Sequence, residues 1–248
     1  MMQLLPFLAA ALLTGATPIL YAQSGPVGPF HKVIISPYIQ ATFVQGDRES
    51  VTINSTIVDS SNLHVEVHGG TLRVYLDGAK DILHNLREDG SDGRGHSYHP
   101  YPNHAVIATI VYKKLDALSL RGSETFLCES PLSAKNFSLY VYGDSRVLFT
   151  EVHISRMYTT LYGESSLDIR SGEVKSQHYT SFGDGKILAT TISGQSAKVV
   201  AFGDAEFRVN VSDWIKVTAF GDAKLRYLGN PAIVKGIHLG DMDLQKLD

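Results

Sequence analysis

The chain is short of the residues that cross-link, that break strands and that carry most enzyme chemistry. Its one cysteine, Cys128, can form no intramolecular disulfide and excludes thiolate metal cages and CxxC redox pairs. With 22 Lys and Arg against 25 Asp and Glu the formal net charge is only −3, so there is no electrostatic case for nucleic acid or an anionic membrane as partner. No proline occurs between Pro131 and Pro231. Catalytic signatures are missing as well: there is no Gly-x-Ser-x-Gly elbow, phosphate-binding Gly-x4-Gly-Lys loop, His-Glu-x2-His helix or dinucleotide fingerprint. That leaves polysaccharide lyases and hydrolases, which build their sites from acidic clusters, as the enzyme alternative. No cofactor is implied.

No charged side chain occurs between Met1 and Ser24. Leu4 to Leu20 are mostly apolar or small, and Leu20-Tyr21-Ala22 offers a small-residue cleavage site, so residues 1–22 read as a signal peptide. Pro6, Gly15 and Pro18 interrupt the run, which is short for a spanning helix. No later segment approaches that length, and the expected location is periplasm, outer surface or medium.

The second half repeats. Gly122, Gly143, Gly163, Gly183, Gly203, Gly221 and Gly240 are spaced by 21, 20, 20, 20, 18 and 19 residues, each followed by a small or acidic residue. Four positions on stands an apolar group, namely Phe126, Val147, Leu167, Ile187, Phe207, Leu225 and Leu244. Around it apolar and polar residues alternate, the period of a half-buried strand. A second alternating run ends at each glycine, so every unit carries two strands and a turn. Proline cannot donate to a ladder, and its absence over this stretch fits strands paired on both sides. The expected fold is all-β: a single-chain parallel β-solenoid (β-helix) with coils of about 20 residues over 121–248. Residues 23–120 read as an irregular N-terminal β portion, either degenerate coils or a cap, with a long polar loop at 77–104.

Together these segments resemble a known family. Phe30-His-Lys-Val-Ile-Ile-Ser, Ile39 to Val44 with Gln45-Gly46-Asp47, Val51-Thr-Ile53, Leu72-Arg-Val74, the run from Tyr112 to Gly122, the glycine units and Tyr227-Leu-Gly-Asn-Pro231 are similar to the putative auto-transporter adhesin, head GIN domain family. The resemblance covers roughly residues 30–245. It implies an exported bacterial protein with a β-solenoid-like fold and no established enzyme activity. The family's turns usually read Ser-Gly-Ala-Ser, whereas this chain places an aromatic before the glycine and Asp or Glu after it.

Stacked coils turn a repeat into columns. The acidic column holds Asp144, Glu164, Asp184, Asp204, Asp222 and Asp241; at one-rung spacing neighbouring carboxylates repel by roughly 0.9 kcal/mol in water. Calcium between rungs would offset that. So would side-chain bonds to turn N–H groups, with Arg146, Lys186 and Lys224 two residues along. The aromatic column, Tyr142, Tyr162, Phe182, Phe202 and Phe220, is the candidate ligand-binding set. Period-two reasoning turns it outward, while the usual burial of aromatics turns it into the core. No metal site is expected: His84, His96, His99 and His104 fall in the polar loop without fixed geometry. The sequence thus points to an exported, non-enzymatic binding or adhesin-like module for a glycan or an envelope protein. The alternatives are a carbohydrate-active enzyme using the acidic column and a self-associating envelope scaffold.

Overall fold

A computed structural model describes residues 23–79 and 100–248. The signal segment at 1–22 and His84, His96 and His99 lie outside the described residues. Before residue 113 the strands are β1 Gln23–Pro26, β2 Lys32–Ile35, β3 Ile39–Gln45, β4 Ser50–Thr56, β5 Leu63–His68, β6 Thr71–Leu76 and β7 Val106–Tyr112. After it they come in pairs, one pair to a coil. These are β8 Ala117–Gly122 with β9 Thr125–Cys128, β10 Leu132–Gly143 with β11 Arg146–Phe149, and β12 Val152–Tyr162 with β13 Ser166–Ile169. β14 Gly172–Phe182 follows with β15 Lys186–Ala189, then β16 Ser196–Phe202 with β17 Glu206–Asn210. β18 Trp214–Phe220 with β19 Ala223–Leu228 and β20 Ala232–Leu239 with β21 Met242–Lys246 complete the stack.

The chain is an all-β solenoid. The first strand of each pair joins a parallel sheet ordered β20-β18-β16-β14-β12-β10-β8-β2, and the second a parallel sheet ordered β3-β9-β11-β13-β15-β17-β19-β21. Pairing is in register, coil upon coil: Val141 lies beside Leu161 and Leu120, and Phe202 beside Phe182 and Phe220. Pro131 and Pro231 stand just before β10 and β20, where a missing N–H costs no bond within the strand.

The irregular region supplies both coils and a cap. β2 and β3 form a coil on which β8 and β9 stack directly. β6 and β7 form another, but on the opposite side of β2 and β3, so the chain order and the stacking order differ. Beyond them β5 pairs antiparallel with β6, and β4 with β7, with β1 outermost. An antiparallel strand breaks the parallel pattern, so the coil repeat does not continue past it. At the other end the register shifts between Val217 and Ala219, and Lys235 and His238 occupy the positions opposite those two core residues. A bulge and polar residues in core columns blunt that edge.

The two sheets face each other across one continuous core. Phe126, Val147, Leu167, Ile187, Phe207 and Leu225 meet Leu118, Leu139, Val199 and Val217 there, all fully buried. Cys128 lies among them at its inward strand position, and burial pushes its thiol well above the usual range.

The recurring glycines make the corner between the sheets. All seven have positive φ, from 89° at Gly163 to 127° at Gly221. They also lie directly over one another: a Cβ on Gly143 would sit 2.3 Å from Gly122 O, and one on Gly163 2.6 Å from Gly143 O. Backbone thus packs on backbone, with no flexible atom to yield. Ser145 and Ser165, two positions on, donate to the carbonyls of Gly122 and Gly143 at 2.9 and 2.7 Å. Glu124 holds the same place in the β8–β9 coil. Only 1% exposed, it accepts from Tyr38 N at 3.0 Å and Ser123 N at 2.8 Å, tying the N-terminal region to the repeats. Desolvation raises its carboxyl above the ordinary value, opposed by those backbone bonds and by His104.

Two outcomes are expected. Gly143→Ala will lower stability by at least about 1–3 kcal/mol in urea unfolding, because both φ and Gly122 O oppose a side chain. Glu124→Gln will cost about 1–3 kcal/mol, since its amide would face a backbone donor. The folded-state pKa of Glu124 is raised, so its favourable contribution is present below the ordinary carboxylate range and is lost as pH rises through the raised value. The stability gap between the parent and Glu124→Gln should therefore narrow as pH rises from about 4 toward neutrality, as urea midpoints across that range will measure.

Candidate functional site: the outer face of the long-strand sheet

Alternation within β10 to β18 settles where each side chain stands. Val141, Leu161, Ala201 and Ala219 are buried, and the residues after them project outward. Tyr142, Tyr162, Phe182, Phe202 and Phe220 accordingly run as a ridge along the outside, half-buried by one another, with Phe182 and Phe202 each 38% exposed. They do not form a core column. Successive ring centroids are 4.8, 4.9, 4.8 and 5.1 Å apart, with interplanar angles of 2° to 8°. Parallel stacking at rung spacing contributes about 0.5–1.5 kcal/mol per pair. It also has a chemical consequence: each ring face is turned to its neighbour, and the ridge offers ring edges outward. Arg121 closes one end, its guanidinium carbon 5.5 Å from the Tyr142 centroid. Leu239 lies beside Phe220 at the other.

Past the glycine corner runs the acidic column, with Asp144, Glu164, Asp184, Asp204, Asp222 and Asp241 all exposed. None belongs to an ion pair among the described residues. The expected cation support is absent, because Lys186 pairs instead with Glu206 at 3.3 Å, and Glu206 with Arg208 at 2.6 Å. The strand after the corner turns those cations onto the other sheet. One acidic side chain does bond across the rungs: Asp222 Oδ1 accepts from Asp241 N at 3.0 Å. Among the described residues no group of three His, Cys, Asp or Glu is placed to hold a metal ion.

The sheet face beside the ridge has a different character. Its register-matched columns are Ala117, Ser138, Tyr158, His178, Lys198 and Lys216, then Ser119, Tyr140, Thr160, Thr180, Val200 and Thr218, and, beyond a bend, Asn136, Arg156, Ser176, Ser196 and Trp214. None of these positions is acidic. Tyr158 stacks on His178 at 4.8 Å, whereas Tyr140, 41% exposed, has only Ser119 and Thr160 as rung neighbours. Burial first, then Lys198 and Arg156, holds the His178 imidazole below its ordinary pKa.

Where this face meets β2 and β6 it sinks into a groove of ≈ 650 Å³, lined among others by Lys32, Thr71, Lys114, Asp116, Lys135 and Tyr140. Small outward residues, Ala117, Ser119 and Ser138, form its floor. Sequence reasoning missed this groove. Tyr140 was recoverable, standing two residues before Tyr142 on the same face, but the lysines come from three separate segments and share no spacing.

Comparison with known proteins agrees on the architecture. A putative adhesin from Bacteroides fragilis NCTC 9343 superposes with a TM-score of 0.74 at 16% identity, covering 91% of this chain and 96% of that one. A structure described as a putative lipid binding protein from Parabacteroides distasonis ATCC 8503 gives 0.66 at 16% identity, over 92% and 96%. A putative adhesin from Parabacteroides merdae ATCC 43184 gives 0.64 at 13%, over 92% and 95%. At such identities the likeness is one of fold. No curated protein matches the chain. The family model described as putative auto-transporter adhesin, head GIN domain, matches residues 29–231, and the chain belongs to that family.

Proposed function

We propose that this protein is an exported, non-enzymatic binding module of the cell envelope or cell surface, engaging an extended glycan or protein partner with the outer face of its long-strand sheet. The observation that carries this reading is the aromatic ridge. Five rings in line, flanked on the same face by exposed Tyr140, Tyr158 and Trp214, make a long aromatic strip. Membership of an adhesin-like family supports binding as the activity, and residues 1–22 support export.

Two features favour this reading over its alternatives. Carboxylate catalysis of glycoside cleavage needs a pair in contrasting environments, one of them desolvated. The acidic column here consists of equivalent exposed groups, and the groove is lined by none of them. Self-assembly through sheet edges would have to continue the parallel coils, whereas antiparallel strands break that pattern at one end and a bulge with Lys235 and His238 disturbs it at β20.

Phe182→Ala with Phe202→Ala tests the ridge. Binding measured against immobilised neutral glycans and purified envelope proteins should fall at least about tenfold in the double variant, with the far-UV spectrum unchanged. Replacing both residues with Leu keeps apolar bulk but removes stacking, and should restore most of the binding. If the Ala variant binds the parent's neutral-glycan and protein partners with equal affinity, the ridge is packing and this reading fails.

A further inference from the structure

The groove beside the ridge has the chemistry of a ligand site that the ridge itself lacks. Sugars stack on the faces of aromatic rings, and in the ridge those faces are taken by neighbouring rings. Tyr140 is different: it is 41% exposed, has Ser119 and Thr160 rather than rings as its column neighbours, and lines the groove. Around it stand the amide of Asn136 and the hydroxyls of Ser119, Ser138 and Thr71, a set suited to sugar hydroxyls.

Charge narrows the class of sugar. Three lysines enter the groove, Lys32 from β2, Lys114 from the turn before β8 and Lys135 from the bend in β10, against one acid, Asp116. Asp116 already pairs with Lys114 at 3.1 Å. Lys32 and Lys135 belong to no ion pair among the described residues, and both are exposed. The imbalance extends beyond the groove. Arg156, Lys198 and Lys216 continue along the face, where the three columns nearest the ridge carry no acidic residue and Glu173 stands one column further out, although the chain as a whole is net negative. A polymer leaving the groove along the solenoid axis would therefore stay over cations. Burial lowers the His178 pKa, and Lys198 and Arg156 lower it further.

We infer that the groove formed by Lys32, Lys135 and Tyr140 binds an acidic polysaccharide, with Tyr140 stacking on a sugar ring and the two lysines meeting its carboxylate or sulfate groups. The inference rests on the reading of the protein as a binding module but uses different residues from the ridge.

Affinity electrophoresis of the chain through gels containing polygalacturonate, alginate or chondroitin sulfate, with dextran as the neutral control, tests it. Retardation is expected with an acidic polymer and not with dextran, and should weaken as ionic strength rises from about 0.05 to about 0.5 M. Lys32→Gln with Lys135→Gln, and separately Tyr140→Ser, should each weaken binding about tenfold or more. All three positions are exposed, and thermal unfolding should be unchanged. Phe182→Ala with Phe202→Ala should leave retardation intact. Retardation lost in the ridge variant but kept in the lysine variant would move the site to the ridge and overturn this inference while sparing the wider reading. Equal retardation by dextran, or none by any acidic polymer, would also overturn it, and the ridge would still be open to test against protein partners.

Discussion

Register is the constraint on which the rest of this structure depends. Each coil repeats the hydrogen-bond phase of the one before it, so a side chain at one position meets its own equivalent one rung away. Like must therefore tolerate like. Apolar residues do so in the core, aromatic rings do so by offset stacking, and glycines do so because only hydrogen fits where Gly143 lies over Gly122. Carboxylates tolerate it poorly, and they are found where water screens them, on the exposed corner past the glycines.

The same rule explains how much of the molecule was legible in its sequence. Features that recur, such as the glycine corner, the inward Phe126 to Leu225 column and the outward aromatics, announce themselves by spacing, and alternation assigns their direction. Features assembled once do not. The groove brings Lys32, Lys114 and Lys135 together from different segments, and nothing in the interval between them signals proximity. Glu124 is hidden for a related reason: it occupies a column position held elsewhere by serine, glycine, alanine or methionine, and only its bonds to Tyr38 and Ser123 explain a carboxylate there. The cations two residues past the acidic column looked like its partners in one dimension, but the strand after the corner takes them to another sheet.

Net charge is a poor guide to such a molecule. A total of −3 gives no case for nucleic acid or an anionic membrane as partner, yet the solenoid sorts its charges by surface. Acids line one corner, cations and tyrosines one face, and the two are separated by the aromatic ridge. Because a column position keeps its direction in every coil, charges placed on different columns stay on different surfaces along the axis.

The out-of-order threading of the first coils bears on how the molecule is built and how it can vary. The β2–β3 coil is flanked on one side by β6–β7 and on the other by β8–β9, both made from later chain. It cannot act as a finished template when it leaves the ribosome or an export channel, since its two neighbours must arrive from opposite directions. Once in place, they clasp it between them, and fraying is left to the end that holds β20 and β21. Gain or loss of whole coils in related proteins should then be confined to the plain repeats downstream, leaving the clasp and the groove beside it undisturbed.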